Sequence, residues 1–390
     1  MRGINISAAF SKLVEKVGLK TIDEIIGVDI GTTSIKVCVL KKTKKGLVLS
    51  HLAKKTFSEE LLSDGHIIDS DMVASELANL LIENNIKTRY AACALSSYCV
   101  ITKKVVMPFL EASTPQKSVK GKEAKKTAEK RPLPTTFEDE KIIESEVENI
   151  IPFPLKEINY SYQLMGLGKE DENTVNIVIV AAKKEIVEGF VNVFQLAGLN
   201  LLVLDVDIFS LTNLVEQIHK PVDSSVMVVD IGAAVTNMAI IKGEDIGFTR
   251  EILLGGSYLT SQIVKSLKFS FEKAEEKKIK GDAEVIYLFE DFIFNIASEI
   301  NKTINFYMST NPNETISKIY LSGGTSLLSG MNEKIYEYTN IEVEHLNPFA
   351  LLIDNPHFVK EDIDQMRDYD EFKEFNGIAL QLSSRLMDLE

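Results

Sequence analysis

The stretch IIGVDIGTTSIKVCVL, residues 25–40, decides the reading of this chain. IIGVDI is a short apolar strand ended by an acid, GTT is a turn, and SIKVCVL alternates as a second strand. The same pattern returns at residues 225–241 as SVMVVDIGAAVTNMAII, about 200 residues later. That is an internal duplication of one supersecondary unit. In each copy an Asp ends a buried strand and a Gly follows two residues on. A tight turn there turns backbone N–H groups into an anion-binding concavity, and glycine lets a phosphate approach the backbone closely. The first copy offers Asp29, Gly31, Thr32 and Thr33, the second Asp230, Gly232, Ala233 and Ala234. Facing each other, the two turns would clamp a polyphosphate, and their carboxylates suit Mg²⁺ held largely through water. Lys36, seven residues after Asp29, is placed to act as a point charge on phosphate, or simply as an exposed strand lysine. A third glycine turn lies in KIYLSGGTSLLSGMNEKI, residues 318–335. Gly323 and Gly324 fall there between a strand and a helix, where a flat nucleoside can rest on bare backbone.

The whole chain sets wider bounds. Its 390 residues suit two or three domains, and 45% hydrophobic residues allow a sizeable core. A formal net charge of −14 argues against nucleic-acid binding, which needs a basic surface. Cys38, Cys93 and Cys99 have no CxxC spacing and read as reduced thiols. No apolar run approaches the roughly 20 residues of a membrane span, and MRGINISAAF lacks a signal-peptide core, so a cytoplasmic protein is expected.

Along the chain, residues 1–24 form an N-terminal segment. Phe10, Leu13, Val14 and Val17 follow a helical stripe with Lys12 and Lys16 between them, suited to its own domain, a partner or a membrane surface. Residues 25–97 and 198–222 read as a first lobe, 98–197 as an inserted subdomain, and 223–390 as a second lobe with a helical part at about 258–310. A helix over 70–84 is expected to start at Ser70 or Asp71 as N-cap. Within the insertion, residues 111–136 hold seven Lys/Arg and three Glu and almost no large apolar residues, which predicts a flexible basic loop. The helix after it is stopped by Pro152 and Pro154.

The three glycine motifs, in this order, resemble the two phosphate motifs and the adenosine motif of the actin, DnaK-type chaperone and sugar-kinase superfamily. The implied fold is α/β, an actin-like (ribonuclease H-like) duplicated two-lobe architecture. At finer grain IGVDIGTTSIKVCVL, ESEVENIIPFPLKEINYSYQLMG, AGLNLLVLDVDIFSLTNL, REILLGGSYLT and NPF resemble the PilM family, the actin-like ATP-binding proteins of type IV pilus assembly, with FtsA the nearest cousin. Two features depart from that pattern: the long basic insertion, and Ala233 and Ala234 where relatives often carry a polar residue.

The resemblance implies ATP and Mg²⁺ as ligands, with Asp29 and Asp230 holding the metal's waters. Gly31, Thr32, Thr33, Lys36 and Gly232 would take the phosphates, and Gly323 and Gly324 the adenosine. Glu275 and Lys278, three apart on a helix, resemble the pair that holds adenine and ribose in relatives; by spacing alone they are equally a solvated surface pair. Asp205 matches the residue that positions attacking water, with Asp207 as the fallback, and an N-cap role competes for both. Hydrolysis is expected to be slow at best. The implied partner is the cytoplasmic N-terminal peptide of PilN, and through it the inner-membrane platform. Self-association and a peripheral membrane contact are further expectations. An FtsA-like division polymer and a small-molecule kinase on the same fold are the alternatives; the chain shows no sugar-contact signature for the latter.

Overall fold

The computed structural model describes residues 22–108, 140–167, 174–218, 224–243, 245–350 and 377–384. The expected helix at 4–18 and the expected basic loop at 111–136 lie outside them. Two five-stranded sheets carry the molecule. The first uses β1 (Glu24–Ile30), β2 (Ser34–Thr43), β3 (Gly46–Thr56), β6 (Tyr90–Leu95) and β10 (Asn200–Val206), in the order β10-β6-β1-β2-β3. The second uses β11 (Ser225–Ile231), β12 (Thr236–Lys242), β13 (Asp245–Ile252), β14 (Ile316–Ser322) and β15 (Glu342–His345), in the order β13-β12-β11-β14-β15. Each is an antiparallel meander of three strands extended by two parallel strands, so the second sheet repeats the first strand for strand. The duplication visible in the sequence is thus a duplication of whole lobes. A small hairpin of β4 (Leu62–Ser63) and β5 (His66–Ile67) lies beside the first sheet's glycine turn.

Burial on both faces explains why the strands read as nearly continuous apolar runs. In β11 and β12, Val228, Ala239 and Ile241 join the core of the first lobe. Their neighbours Met227, Val229, Met238 and Ile240 face the opposite way, into a separate core. That outer core is built with α5 (Gly256–Leu267), α6 (Phe271–Lys280), α7 (Tyr287–Thr310) and α8 (Met331–Thr339). Between the sheets runs α4 (Asp207–Ile218), in which Ile208 through Val215 are all buried.

Several expectations change. α1 (Ser70–Glu83) is capped by Asp69, whose carboxylate accepts from Met72 N at 2.9 Å, rather than by Ser70 or Asp71. The insertion contains a strand that the pattern did not disclose, β7 (Val100–Pro108). It forms a three-stranded antiparallel sheet with β9 (Thr174–Lys183) and β8 (Ile158–Leu167), in the order β7-β9-β8. Against it packs α2 (Glu140–Ile150), through Ile143 and Val147. The helix α3 (Lys184–Leu196), expected in the insertion, instead buries Phe190, Val193 and Phe194 in the first lobe's core. It ends as expected at Gly198, whose φ is +72°.

The chain also returns to the first lobe at α9 (Gly377–Ser383), so the second lobe does not run unbroken from 223 to 390. This helix is buried on every side and lies directly on β1: a Cβ added at Gly27 would sit 1.9 Å from Ala379 O. Glycine is required at that position because two backbones touch there.

Candidate functional site

The glycine turns of the two lobes have the same construction. Gly31 N donates to Ser34 O at 2.8 Å, and Gly232 N to Val235 O at 3.0 Å. The strand register makes Asp29 the direct cross-strand partner of Lys36, and Asp230 that of Asn237. Each lobe therefore presents an acid and, seven residues on, a polar partner. In the first lobe this is an ion pair, Lys36 Nζ to Asp29 Oδ2 at 2.7 Å, largely shielded from solvent. Lys36 is thus no exposed strand lysine. Its ammonium is held charged against the cost of burial by Asp29 and, across the cleft, by Asp230.

Asp29 and Asp230 lie within Coulombic reach of one another. Burial pushes the Asp230 carboxyl up to about 6; Lys36 opposes that rise and Asp29 adds to it. A hydrogen bond with Ser322, the register partner of Asp230 on β14, also favours its charged form. The two carboxylates expected to hold a metal are therefore brought together, in a site short of positive charge.

A third acid, Asp207, lies within Coulombic reach of Asp230, although among the described residues no three acids, histidines or cysteines are grouped closely enough to hold a metal ion by themselves. Asp207, the first residue of α4, accepts from Ser97 N at 2.9 Å and Ile208 N at 2.5 Å through Oδ1. Its Oδ2 accepts from Asn237 Nδ2 at 3.0 Å, a hydrogen bond that spans the lobes. Burial, then the charge of Asp230, pushes its carboxyl up to about 7. Asp205, by contrast, has no exposed surface, and its Oδ1 accepts from Val206 N at 2.8 Å. Of the two acids expected near the attacking water, Asp207 is the one that meets the cleft. Asn237 was not singled out in the sequence, although its place seven residues after Asp230 mirrors Lys36 and was the available signal.

The remaining glycines fit loops onto one another. A Cβ at Gly323 (φ +84°) would meet Ile231 O at 2.4 Å and Asp230 Oδ1 at 2.8 Å. One at Gly255 would meet Ala233 O at 2.4 Å. Gly256 N and Ser257 N, at the start of α5, donate to Gly232 O and Ala233 O. Thr325 Oγ1 donates to Gly232 O at 2.8 Å, so GGSYLT and the Gly323–Gly324 turn both brace the second phosphate turn. Glu275 and Lys278 form a buried-side ion pair of 2.7 Å rather than a solvated one. Lys278 Nζ also donates to Gly256 O and Thr260 Oγ1, tying α6 to that bracing loop. On the first side, Leu61 N and Phe57 N donate to Thr32 O and Thr33 O. Lys104 of β7 forms an ion pair with Asp245 at the tip of the β12–β13 hairpin, so the insertion touches the second lobe.

Two mirrored lobes with an acid-and-glycine turn each, closing on a shared polar cleft, define an actin-like protein. The model of the family described as type IV pilus assembly protein PilM matches residues 27–114 and 124–380, and the chain belongs to that family. A solved PilM–PilN type IV pilus biogenesis complex contains a chain similar to this one, with TM-score 0.76 and 23% identity over 94% of this chain and 99% of that one. The ethanolamine utilization protein EutJ of Carboxydothermus hydrogenoformans has the same fold, with TM-score 0.54 and 17% identity over 96% and 99%. Cell division protein FtsA of Streptococcus pneumoniae is 22% identical over 364 residues, 85% of this chain and 77% of FtsA. None of the described helices is long and apolar enough to cross a membrane.

Proposed function

We propose that this chain is an ATP-binding scaffold of the type IV pilus inner-membrane platform, in which Mg²⁺-ATP holds the two lobes together while the first lobe and its insertion hold the cytoplasmic N-terminal peptide of PilN. The observation that carries the nucleotide part is the mirrored pair Asp29–Lys36 and Asp230–Asn237 across one cleft. Asp29 and Asp230 would hold a hydrated Mg²⁺, which supplies the missing positive charge between them. Gly31, Thr32, Thr33 and Gly232 would take the phosphates, with Lys36 shared between Asp29 and phosphate. Gly323, Gly324, Glu275 and Lys278 would border the nucleoside. Asp207 is the group placed to orient water or accept its proton. Its own hydrogen bonds to Ser97, Ile208 and Asn237 limit that role, which agrees with slow hydrolysis and with ATP acting mainly as a conformational ligand.

The peptide part is supported by family membership and by the similarity to a chain of a solved PilM–PilN complex. Residues 151–156 of the IPFPLKE segment, with Glu148 of α2, line an open pocket and offer apolar anchors for an extended peptide. Because the insertion also touches the second lobe through Lys104 and Asp245, cleft closure has a physical route to that pocket. The test is a pull-down with the cytoplasmic tail of PilN, with and without Mg²⁺-ATP. Capture that changes with nucleotide supports the reading; no capture under either condition defeats it.

A further inference from the structure

The end of the first lobe opposite the cleft carries a feature that the nucleotide and peptide readings do not use. The β2–β3 hairpin turns through Lys41-Lys42-Thr43-Lys44-Lys45, all five exposed, in a chain whose net charge is −14. The turn is ordered: Thr43 Oγ1 donates to Gly46 O at 2.7 Å, and Lys45 N donates to Thr43 Oγ1 at 3.3 Å. Hydrogen bonds tie its neighbours to the same end. Lys42 N donates to Asp23 O at 2.6 Å, Thr88 Oγ1 to Glu24 O at 3.1 Å, and Asn200 N to Arg89 O at 2.7 Å. The parallel strands β1, β6 and β10 all begin here, which brings exposed Lys87 and Arg89 into line with the hairpin.

Among the described residues, six cations thus share this end with three acids, Asp23, Glu24 and Glu83. Two large aliphatic side chains are left in water beside them. Ile82, in the last turn of α1, is 72% exposed, and Leu196, the last residue of α3, is 52% exposed. Both helices finish where the parallel strands start.

We propose that this end of the first lobe docks directly on an anionic lipid bilayer. Cations that project from loop tips, with aliphatic residues among them, suit a flat, negatively charged surface with an apolar interior. A peptide partner would need a groove, and here the groups stand on separate tips of one sheet end. The cleft lies at the far end of β1, a seven-residue strand, roughly 20 Å away, and stays open to nucleotide.

The experiment is vesicle flotation of the full chain without PilN, so that its failure leaves the partner reading untouched. Vesicles of phosphatidylcholine with about one-third phosphatidylglycerol are compared with pure phosphatidylcholine. The wild type is expected to float with the anionic vesicles only, and to be released by high salt. Each lysine near such a surface contributes roughly five-fold in partitioning, so Lys44→Glu with Lys45→Glu should lower binding by at least about 25-fold. A control with Lys302→Glu and Lys334→Glu, on the second lobe, should bind like wild type, and unchanged melting establishes that both variants fold. The proposal is overturned if the wild type does not float, if it binds neutral vesicles equally, or if the hairpin variant keeps its binding. It is equally overturned if the lysines capture poly-glutamate while the protein ignores vesicles, which would make the partner an acidic polypeptide.

Discussion

Replacing Asp207 with Asn tests the electrostatics of the cleft most directly. In the folded protein the Asp207 carboxyl is pushed from its ordinary 3.8 up to about 7, first by burial and then by Asp230. The folded state therefore holds this proton more tightly than the unfolded chain does. The group's favourable contribution is present below about pH 4 and is lost as the pH rises through about 7. Three units at about 1.36 kcal/mol each put the ceiling near 4 kcal/mol, reached only above pH 7. Asp207 still meets the cleft, so solvent relieves part of this. The amide also retains a cost of burial.

Its geometry can be kept. The amide oxygen can still accept from Ser97 N and Ile208 N. Asn237 Oδ1, buried and without a hydrogen-bond partner, can accept the new N–H₂ once the Asn237 amide flips. We therefore expect Asp207→Asn to stabilise the nucleotide-free protein by about 1–3 kcal/mol at pH 8, a rise of several degrees in Tm. At pH 5 wild-type Asp207 is protonated when folded but still ionised when unfolded, so the gap should narrow by more than half, and it should close only below about pH 4. Circular dichroism melts at the two pH values, in the presence of chelator, measure both. A variant that is destabilised, and by the same amount at pH 5 and pH 8, would refute the claim that this carboxylate is held at electrostatic cost.

Gly27→Ala should displace α9 from β1, because the added methyl meets Ala379 O at 1.9 Å. Overpacking of this kind costs typically 1–3 kcal/mol, and limited proteolysis should cut near residues 377–384 well before it does in wild type. Gly323→Ala combines an unfavourable φ of +84° with a clash on Ile231 O, and should cost about 1–3 kcal/mol. It should also remove the rise in Tm that Mg²⁺-ATP gives wild type, expected at roughly 2.7 kcal/mol for ligand at 100 times its Kd. Lys278→Met strips two hydrogen bonds from the Gly256 and Thr260 end of α5 and takes away the cation of Glu275, which keeps only the hydrogen bond from Thr260 Oγ1. A loss of about 2–3 kcal/mol is expected by thermal melting, with a weaker nucleotide-dependent shift than wild type.

Much of this molecule is local in origin and so was readable. The two Asp-Ile-Gly turns announce themselves because an acid at the end of an apolar strand, followed by glycine, is a pattern within a few residues. Their repetition foretold two lobes, and the five-stranded sheets repeat one another accordingly. The β7 strand escaped notice since VITKKVVMP has no clean alternation; its partners on β9 lie 66 to 82 residues away in the chain, from Pro108 opposite Thr174 to Val100 opposite Ala182. The placing of α9 was equally hidden. A buried seven-residue helix says nothing of which lobe will cover it, and only the missing Cβ of Gly27 hints at a visitor.

By itself the sequence determined the duplicated strand–turn–strand units, and with them the acids and glycines that meet at the cleft, because backbone geometry and burial are set over short spans of chain. Which acid faces the cleft was decided only by tertiary structure. Asp205 and Asp207 are two residues apart at one junction, yet the packing of α4 between the sheets closes off the first and swings the second towards Asn237. The change of Lys36 and Lys278 from surface cations into buried links was settled in the same way, since burial is a property of what packs around a side chain and no short window of sequence contains it.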